Sequence, residues 1–413
     1  MTEGATQSLQ QEDSPRLILS LEDGVEKLMA LCNTLTCEEI DTKDTAGRIL
    51  GCAFIGPQDY PASDCSVMDG YACAISDNHR EEYYSVVVTE NGAGQKLAKG
   101  TAVAVRTGES LPAGVDIVIP HEKASIVNDV MHLGVAEKKG LNIRRRGEDF
   151  LKAELILPAK SLVTPGMVGV MLALGAKRTQ VIRQPKVAVV SVGEGIASDY
   201  ATNSLNMTID SIGPMLAAMV KRDGGVVISV SSCGHMDTVA KIDYLCQVLI
   251  GADVLITIGG TYSNGRSEVF ELFHQAGASI LFRGLAVKPG GHAGSAFFNG
   301  KPLLALSGHA SACAVGYQLL VYPALSALGG RPHKGKIVQA ECVSDEIISL
   351  SCRTFLRGYA FPTDCGWKVK ILPGQKSTMK RSLMYWNALL DVGVKEREIY
   401  RGMVVSVRLS EWF

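Results

Sequence analysis

Between residues 185 and 330 short apolar runs alternate with amphipathic stretches of helical period, and that alternation dictates a parallel sheet covered on both faces. Residues 187–192 read as a short buried strand, and 210–222 as a helix with Pro214 in its first turn, where a missing N–H costs nothing. A second strand is expected over 225–230. Asp237 then caps a helix whose apolar face carries Val239, Ile242, Leu245 and Leu249. A third strand over 252–258 leads through a glycine turn to a helix over 268–275. A hairpin over 279–298 and a strand over 302–306 precede a last helix over 311–328.

Residues 302–330 contain no Lys, Arg, Asp or Glu and so meet the length rule for a membrane span. The run is broken at Ser307-Gly308-His309, carries Gln318 and Pro323, and lacks basic residues on one flank. A buried strand, a turn and a buried helix account for it, so no membrane partner is expected.

The rest of the chain has other periods. Residues 1–16 are polar and read as a loose tail without the apolar core of a signal peptide. Leu21, Val25, Leu28, Met29 and Cys32 have helical spacing. From 56 to 133 short alternating runs, such as 85–89 and 102–106, lie between turn residues and predict a small mostly-β unit. Beyond 330 the alternation at Val369 and Ile371, then at Val405, Val407 and Leu409, predicts a separate β-domain. With 41 basic and 42 acidic residues the net charge is −1, so no global field favours nucleic acid, and any anion binding must come from local clusters. Eleven cysteines without paired spacing fit a reducing, cytoplasmic location.

Open parallel sheets bind ligands beyond the carboxyl ends of their strands. Three such ends carry small residues: Ser191-Val192-Gly193-Glu194-Gly195, Ile258-Gly259-Gly260-Thr261 with Gly265, and Leu306-Ser307-Gly308-His309. The hairpin adds Lys288-Pro289-Gly290-Gly291. Glycines let backbone N–H groups approach an anion, and helix N-termini add favourable partial charge, so a phosphorylated ligand is expected. The competing reading is that these glycines merely make strand-to-helix turns. Dinucleotide, P-loop and G-x-S-x-G spacings are absent, so Ser307 beside His309 is no hydrolase pair and His309 is read as a helix start. Cys233-Gly234-His235 lacks companion ligands at zinc spacing and is read as structural.

Arg144-Arg145-Arg146-Gly147-Glu148-Asp149 offers guanidinium groups to phosphate and carboxylates to Mg²⁺, or else forms a solvated charge run. In Ser66-Val67-Met68-Asp69-Gly70-Tyr71-Ala72 an acid precedes a glycine, which can also be a simple turn.

Taken in order, these segments resemble the molybdopterin molybdotransferase family of bacterial MoeA and the gephyrin E domain, from about residue 19 to the C-terminus. Its S-A-M-D-G-Y-A, R-R-R-G-E-D and L-A-I-K-P-G correspond to 66–72, 144–149 and 285–290. Arg106-Thr107-Gly108, Pro112-Ala113-Gly114-Val115-Asp116 and Phe355-Leu356-Arg357-Gly358 add weaker support. The resemblance implies an α/β multi-domain fold. A doubly wound, mostly parallel pterin-binding domain takes 17–36 and 183–334, and an elongated linking domain 37–55 and 155–182. An inserted mostly-β domain takes 56–154, and a C-terminal β-barrel 335–413.

The implied assembly is a homodimer with clefts shared between subunits. The implied reaction hydrolyses adenylated molybdopterin with Mg²⁺, releases AMP and inserts molybdate into the dithiolene; molybdopterin adenylyltransferase and acceptor molybdoenzymes are the implied partners. The implied catalytic residues are Asp69, Asp149, Asp210 and Lys288, with Asp69, Asp149 and Glu194 for the metal. The implied pterin contacts are Thr107, Ser191, Gly193, Gly259, Gly260 and Thr261, and also Gly290, Ser307, Gly308, Arg357 and Ser377.

The chain departs from the family pattern in its pterin-binding segment. S-T-G-D-E-L loses its second acid at Gly195, and in G-G-V-S-x-G-x-x-D the acid falls on Ser267, with Glu268 one residue later, about 100° away on a helix. Gly284, beside Arg283, replaces a lysine; L-P-G-N-P becomes Leu306-Ser307-Gly308-His309-Ala310; and Asp210-Ser211 lacks the Asn and Arg of D-S-N-R. These losses motivate a second reading, a paralogue that binds the pterin or finished cofactor for delivery or scaffolding. A third, another phosphate-ligand transferase on a similar sheet, has no feature that requires it.

Overall fold

The computed structural model describes residues 17–75, 83–86, 96–128, 130–133, 138–197, 208–262, 266–331, 336–345, 348–393 and 398–410. The tail over 1–16, residues 87–89 of the run 85–89, and Gly265 lie outside them. The chain divides into two compact units, Met1–Glu38 with Ile182–Phe413, and Glu39–Val181.

The first unit holds the expected sheet. Its strands are β1 (Lys186–Ser191), β2 (Val226–Ser232), β3 (Val254–Ile258), β4 (Ser279–Phe282), β5 (Gly294–Phe298) and β6 (Lys301–Leu306), in spatial order β2-β1-β3-β6-β5-β4. The first four in that order run parallel; β5 runs antiparallel to β6 and pairs antiparallel with β4 as the hairpin. Successive side chains of a strand point to opposite faces. Val187, Val189, Ile256, Ile258, Leu304 and Leu306 therefore pack on one side, with helices α1 (Leu21–Met29), α2 (Ile212–Arg222) and α5 (Ala310–Leu328). Ala188, Val190, Leu255, Leu303 and Ala305 pack on the other, with α3 (Thr238–Gly251) and α4 (Glu268–Gln275).

Two expectations need correction. β2 is an edge strand whose Val226, Ile228 and Val230 remain about 40% exposed, so it is only partly covered. In α3 Leu245 and Leu249 are buried, but Val239 is 70% exposed and Lys241 is buried in its place. Lys241 sits two residues, or about 200°, from Val239, and its ammonium finds Glu268 across the helix pair.

α5 is long and apolar enough to cross a membrane, but 89% of that window is buried inside the fold. Its middle turn, Tyr317–Val321, is a π-helix. The unit also contains a closed five-stranded barrel, with strands Ile337–Cys342, Thr354–Thr363, Gly366–Ile371, Ala388–Val392 and Val404–Leu409. The expected Val369, Ile371, Val405, Val407 and Leu409 lie in its core.

The second unit is built on a six-stranded sheet in which the paired strands Gly70–Cys73 and Thr101–Val105 stand second and third. A second core of Leu50, Leu157, Val163 and Met171 packs beneath helix Pro165–Ala173. Gly70 opens its strand because a Cβ there would lie 2.0 Å from the Ile119 carbonyl oxygen. The glycine after Asp69 thus answers a close backbone approach rather than a left-handed turn.

Candidate functional site

β1, β3 and β6 are neighbours, so their carboxyl ends stand side by side. A Cβ on Gly308 would lie 3.4 Å from Gly259 Cα, and one on Gly259 would lie 3.7 Å from the Gly193 nitrogen. Gly259 and Gly260 take φ of 83° and 64°, a left-handed turn that L side chains rarely adopt. A Cβ would make only ordinary van der Waals contact at Gly308 and Gly259, so it is the left-handed backbone of Gly259 and Gly260, not lack of space, that calls for glycine.

A cavity of about 820 Å³ opens over two of these turns. Gly259, Gly260 and Thr261 line it from β3, and Ser307 and Gly308 from β6. Lys288 and Gly290 come from the hairpin, and Ser377 from the loop after the barrel strand Gly366–Ile371. The Lys288 backbone is pinned to the barrel: its N–H donates to Arg353 O (3.0 Å), and its carbonyl accepts from Phe355 N (2.7 Å). Its exposed ammonium forms no ion pair with a described residue. Loop 377–379 is held by Ser311 at the start of α5, whose N–H donates to Ser377 O (3.3 Å) and whose hydroxyl donates to Met379 O. His309 stands at the start of α5, as expected, without a side-chain capping bond.

Other expected residues lie elsewhere in this unit. Ser191, Gly193 and Glu194 belong to the neighbouring β1 turn and do not line the cavity. Asp210 accepts from Ile212 and Gly213 N–H (3.0 and 2.8 Å) at the head of α2 and from the Ser191 hydroxyl (2.7 Å), so it braces that turn. Arg357 is fully buried behind the cavity wall: Nε donates to Ser382 Oγ (2.7 Å) and Nη2 to Gly374 O (3.2 Å), while Nη1 has no partner. Burial without a carboxylate lowers its pKa to about 10. Glu268, one residue past the expected acid, pairs with buried Lys241 at 2.5 Å.

Sequence reasoning missed Gln375, Tyr262 and His292, which also line the cavity. Gln375 had no signal in the linear sequence: it accepts from Arg357 N (3.0 Å) and donates to Arg357 O (2.8 Å) across the barrel wall.

In the second unit Asp69 is exposed, and its Oδ1 accepts from Thr107 N (2.7 Å) and Thr107 Oγ1 (3.0 Å). Those two bonds, the backbone one foremost, hold its pKa below the usual carboxylate range. The arginine run corrects the phosphate expectation: Arg144 pairs with Asp149, Arg145 with Asp64 (2.6 Å) and Arg146 with Asp59 (2.6 Å). Each guanidinium already has a carboxylate. Gly147, with φ of 70°, turns the run back on itself.

Among the described residues no three His, Cys, Asp or Glu side chains gather as a metal cluster. Mg²⁺ needs fewer, since it is often held by one or two carboxylates plus substrate phosphates and waters. Asp69 fits that role, because it is kept ionised and its Oδ2 carries no hydrogen bond from a described residue.

Fold and site define a multi-domain α/β protein with an anion-ready cavity at the ends of parallel strands. The model for the MoeA N-terminal region (domain I and II) matches residues 19–175, and that for a probable molybdopterin binding domain matches 188–327. A molybdopterin molybdenumtransferase of Staphylococcus epidermidis is 26% identical over 407 residues, 96% of each chain. One of Staphylococcus aureus is 25% identical over 404 residues, covering 95% of this chain and 96% of that one. A molybdopterin biosynthesis MoeA protein from Pyrococcus horikosii superposes with a TM-score of 0.80 at 23% identity, covering 96% of this chain and all of that one. The chain belongs to the MoeA family.

Proposed function

We propose that this chain is a molybdopterin molybdenumtransferase of molybdenum cofactor biosynthesis, which takes adenylated molybdopterin, releases AMP and inserts molybdate into the dithiolene. The observation that carries this reading is the convergence of two glycine turns, helix α5's N-terminus and the unpaired Lys288 ammonium on one cavity. Amide dipoles and a fixed cation bind phosphate and stabilise charge that grows on a departing phosphate.

In the proposed step water attacks the pterin-side phosphorus, the bond from that phosphorus to the bridging oxygen breaks, AMP leaves with that oxygen and the bonding electron pair, and the water's proton is released to solvent. Lys288 and the Gly259–Gly260 and Ser307–Gly308 amides hold the phosphates; Thr261 and Ser377 offer hydroxyls to the same ligand. Asp210 acts indirectly, by fixing Ser191, and Arg357 by holding the wall. Mg²⁺, when bound, would be held by Asp69 of the second unit and would supply there a charge that binds phosphate. Asp149, also in the second unit, would take a cation only by releasing Arg144, and Glu194 is an exposed carboxylate of the first unit.

The proposal includes a cytoplasmic homodimer, to be measured by light scattering, and the four-part division given above. It also includes molybdopterin adenylyltransferase as supplier and molybdoenzymes as acceptors. The decisive assay is AMP release from adenylated molybdopterin with and without molybdate and Mg²⁺. Release that needs both and is lost in Lys288→Ala supports the proposal; bound substrate with no release above buffer overturns it.

A second reading is a paralogue that binds pterin without turnover. It is favoured by Ser267 and Gly195 standing where the family has acids, with Glu268 engaged by Lys241. Should Ser267→Asp with Gly195→Glu leave an already active parent unchanged, that reading fails.

A further inference from the structure

We infer that Tyr262 and His292 form a stacking platform for the planar ring of the ligand, a fused nitrogen bicycle of the purine or pteridine type. The inference rests on the proposed function, since it assigns a ring to the same cavity that takes the phosphates. The two rings lie 5° from parallel with centroids 5.1 Å apart, an offset stack. Both line the 820 Å³ cavity, and Tyr262 keeps 47% of its surface exposed. An aromatic pair built only for stability would lie in the core; this one lies exposed at a cavity wall.

Position in the chain strengthens the assignment. Tyr262 follows Gly259-Gly260-Thr261 directly, and His292 stands four residues after Lys288. The two rings therefore come from the two segments that carry the anion-binding groups. Neither segment supplies the stack alone; the sheet brings them together. The resulting wall is amides and an ammonium at one part and an aromatic surface at another, which is the chemistry of a phosphorylated ligand with a flat, π-rich head. Purines and pteridines share that head, and offset stacking on Tyr or His needs no base-specific hydrogen bond. Tyr262 also occupies the place of the serine in the family's G-G-V-S.

The test titrates the full chain with AMP, ribose 5-phosphate and 6-hydroxymethylpterin by calorimetry. AMP is expected to bind more tightly than ribose 5-phosphate. Tyr262→Ala and His292→Ala are expected to weaken AMP or the pterin by roughly five- to hundredfold while leaving ribose 5-phosphate unchanged. Tyr262→Phe and His292→Phe should retain most of the affinity. A loss confined to AMP assigns the platform to adenine, and one confined to the pterin assigns it to pteridine; either supports the inference. Unchanged AMP and pterin affinities in both alanine variants overturn it, and so does an equal loss for ribose 5-phosphate. A chain that binds AMP on this platform yet releases none from adenylated molybdopterin overturns the proposed activity and leaves the platform standing.

Discussion

Asp69 and Thr107 are joined twice through a single carboxylate oxygen, which accepts both the Thr107 backbone N–H (2.7 Å) and its hydroxyl (3.0 Å). The other oxygen accepts no hydrogen bond from a described residue. Thr107→Val removes the hydroxyl bond and keeps the stronger backbone one. The Asp69 pKa should then rise part of the way towards the ordinary carboxylate range, read by carboxyl ¹³C NMR titration. No movement would mean that the backbone bond alone sets it. Asp69→Asn should leave the fold intact and lower AMP release by roughly 10²–10³-fold, the usual cost of removing one group that stabilises transition-state charge.

Gly234 explains why a glycine separates Cys233 from His235. A Cβ there would lie 2.0 Å from the Gly193 carbonyl oxygen, so Gly234→Ala must displace the β1 turn. Urea unfolding should show a loss of about 1–3 kcal/mol, the range for overpacking. A variant as stable as the parent would show that the turn yields freely.

The Lys241–Glu268 pair is asymmetric, with the lysine side chain 6% and the glutamate 46% exposed. Glu268→Ala strands a buried ammonium, whereas Lys241→Met leaves a carboxylate that water can reach. The first should cost about 1–3 kcal/mol, less than a fully buried pair because Glu268 is partly hydrated. The second should cost less than the first. Equal losses in thermal melts would sink this account.

Asp391 anchors the barrel to α1 through Arg353, which binds it at 2.8 Å twice and also grips Glu22; Arg408 adds a contact at 3.1 Å. Burial raises the Asp391 pKa, but the Arg353 hydrogen bonds and charge, with Arg408, outweigh burial and lower it overall. A carboxyl with a lowered folded pKa binds more protons unfolded, so its stabilisation is present above the unfolded value of about 3.9 and is lost as pH falls through the folded value. Stability should therefore fall below about pH 4 in the parent. It should fall less steeply there in Asp391→Asn, as measured by urea midpoints across pH.

Much of this molecule was legible in its residues. The alternation over 185–330 carried the parallel sheet, because strands buried on both faces must be apolar throughout and their helices must show one apolar stripe. Ser191, Gly259 and Ser307 could be placed at strand ends for the same reason. Val239 misled because a period identifies an apolar stripe without saying how far the neighbouring layer extends over it.

Local periodicity and turn chemistry thus determined the elements, their order and the glycine-edged strand ends. Tertiary structure alone decided which groups meet. It set Tyr262 on His292, Glu268 on Lys241, Arg144 on Asp149 and Arg357 on Ser382, although in every pair but Arg144–Asp149 the partners lie more than twenty residues apart in sequence. Arg144 and Asp149 are five apart, yet whether a guanidinium takes a nearby carboxylate or a phosphate depends on where the folded backbone aims them. Charge and π-surface act over a few ångströms in space, a distance that sequence spacing does not fix.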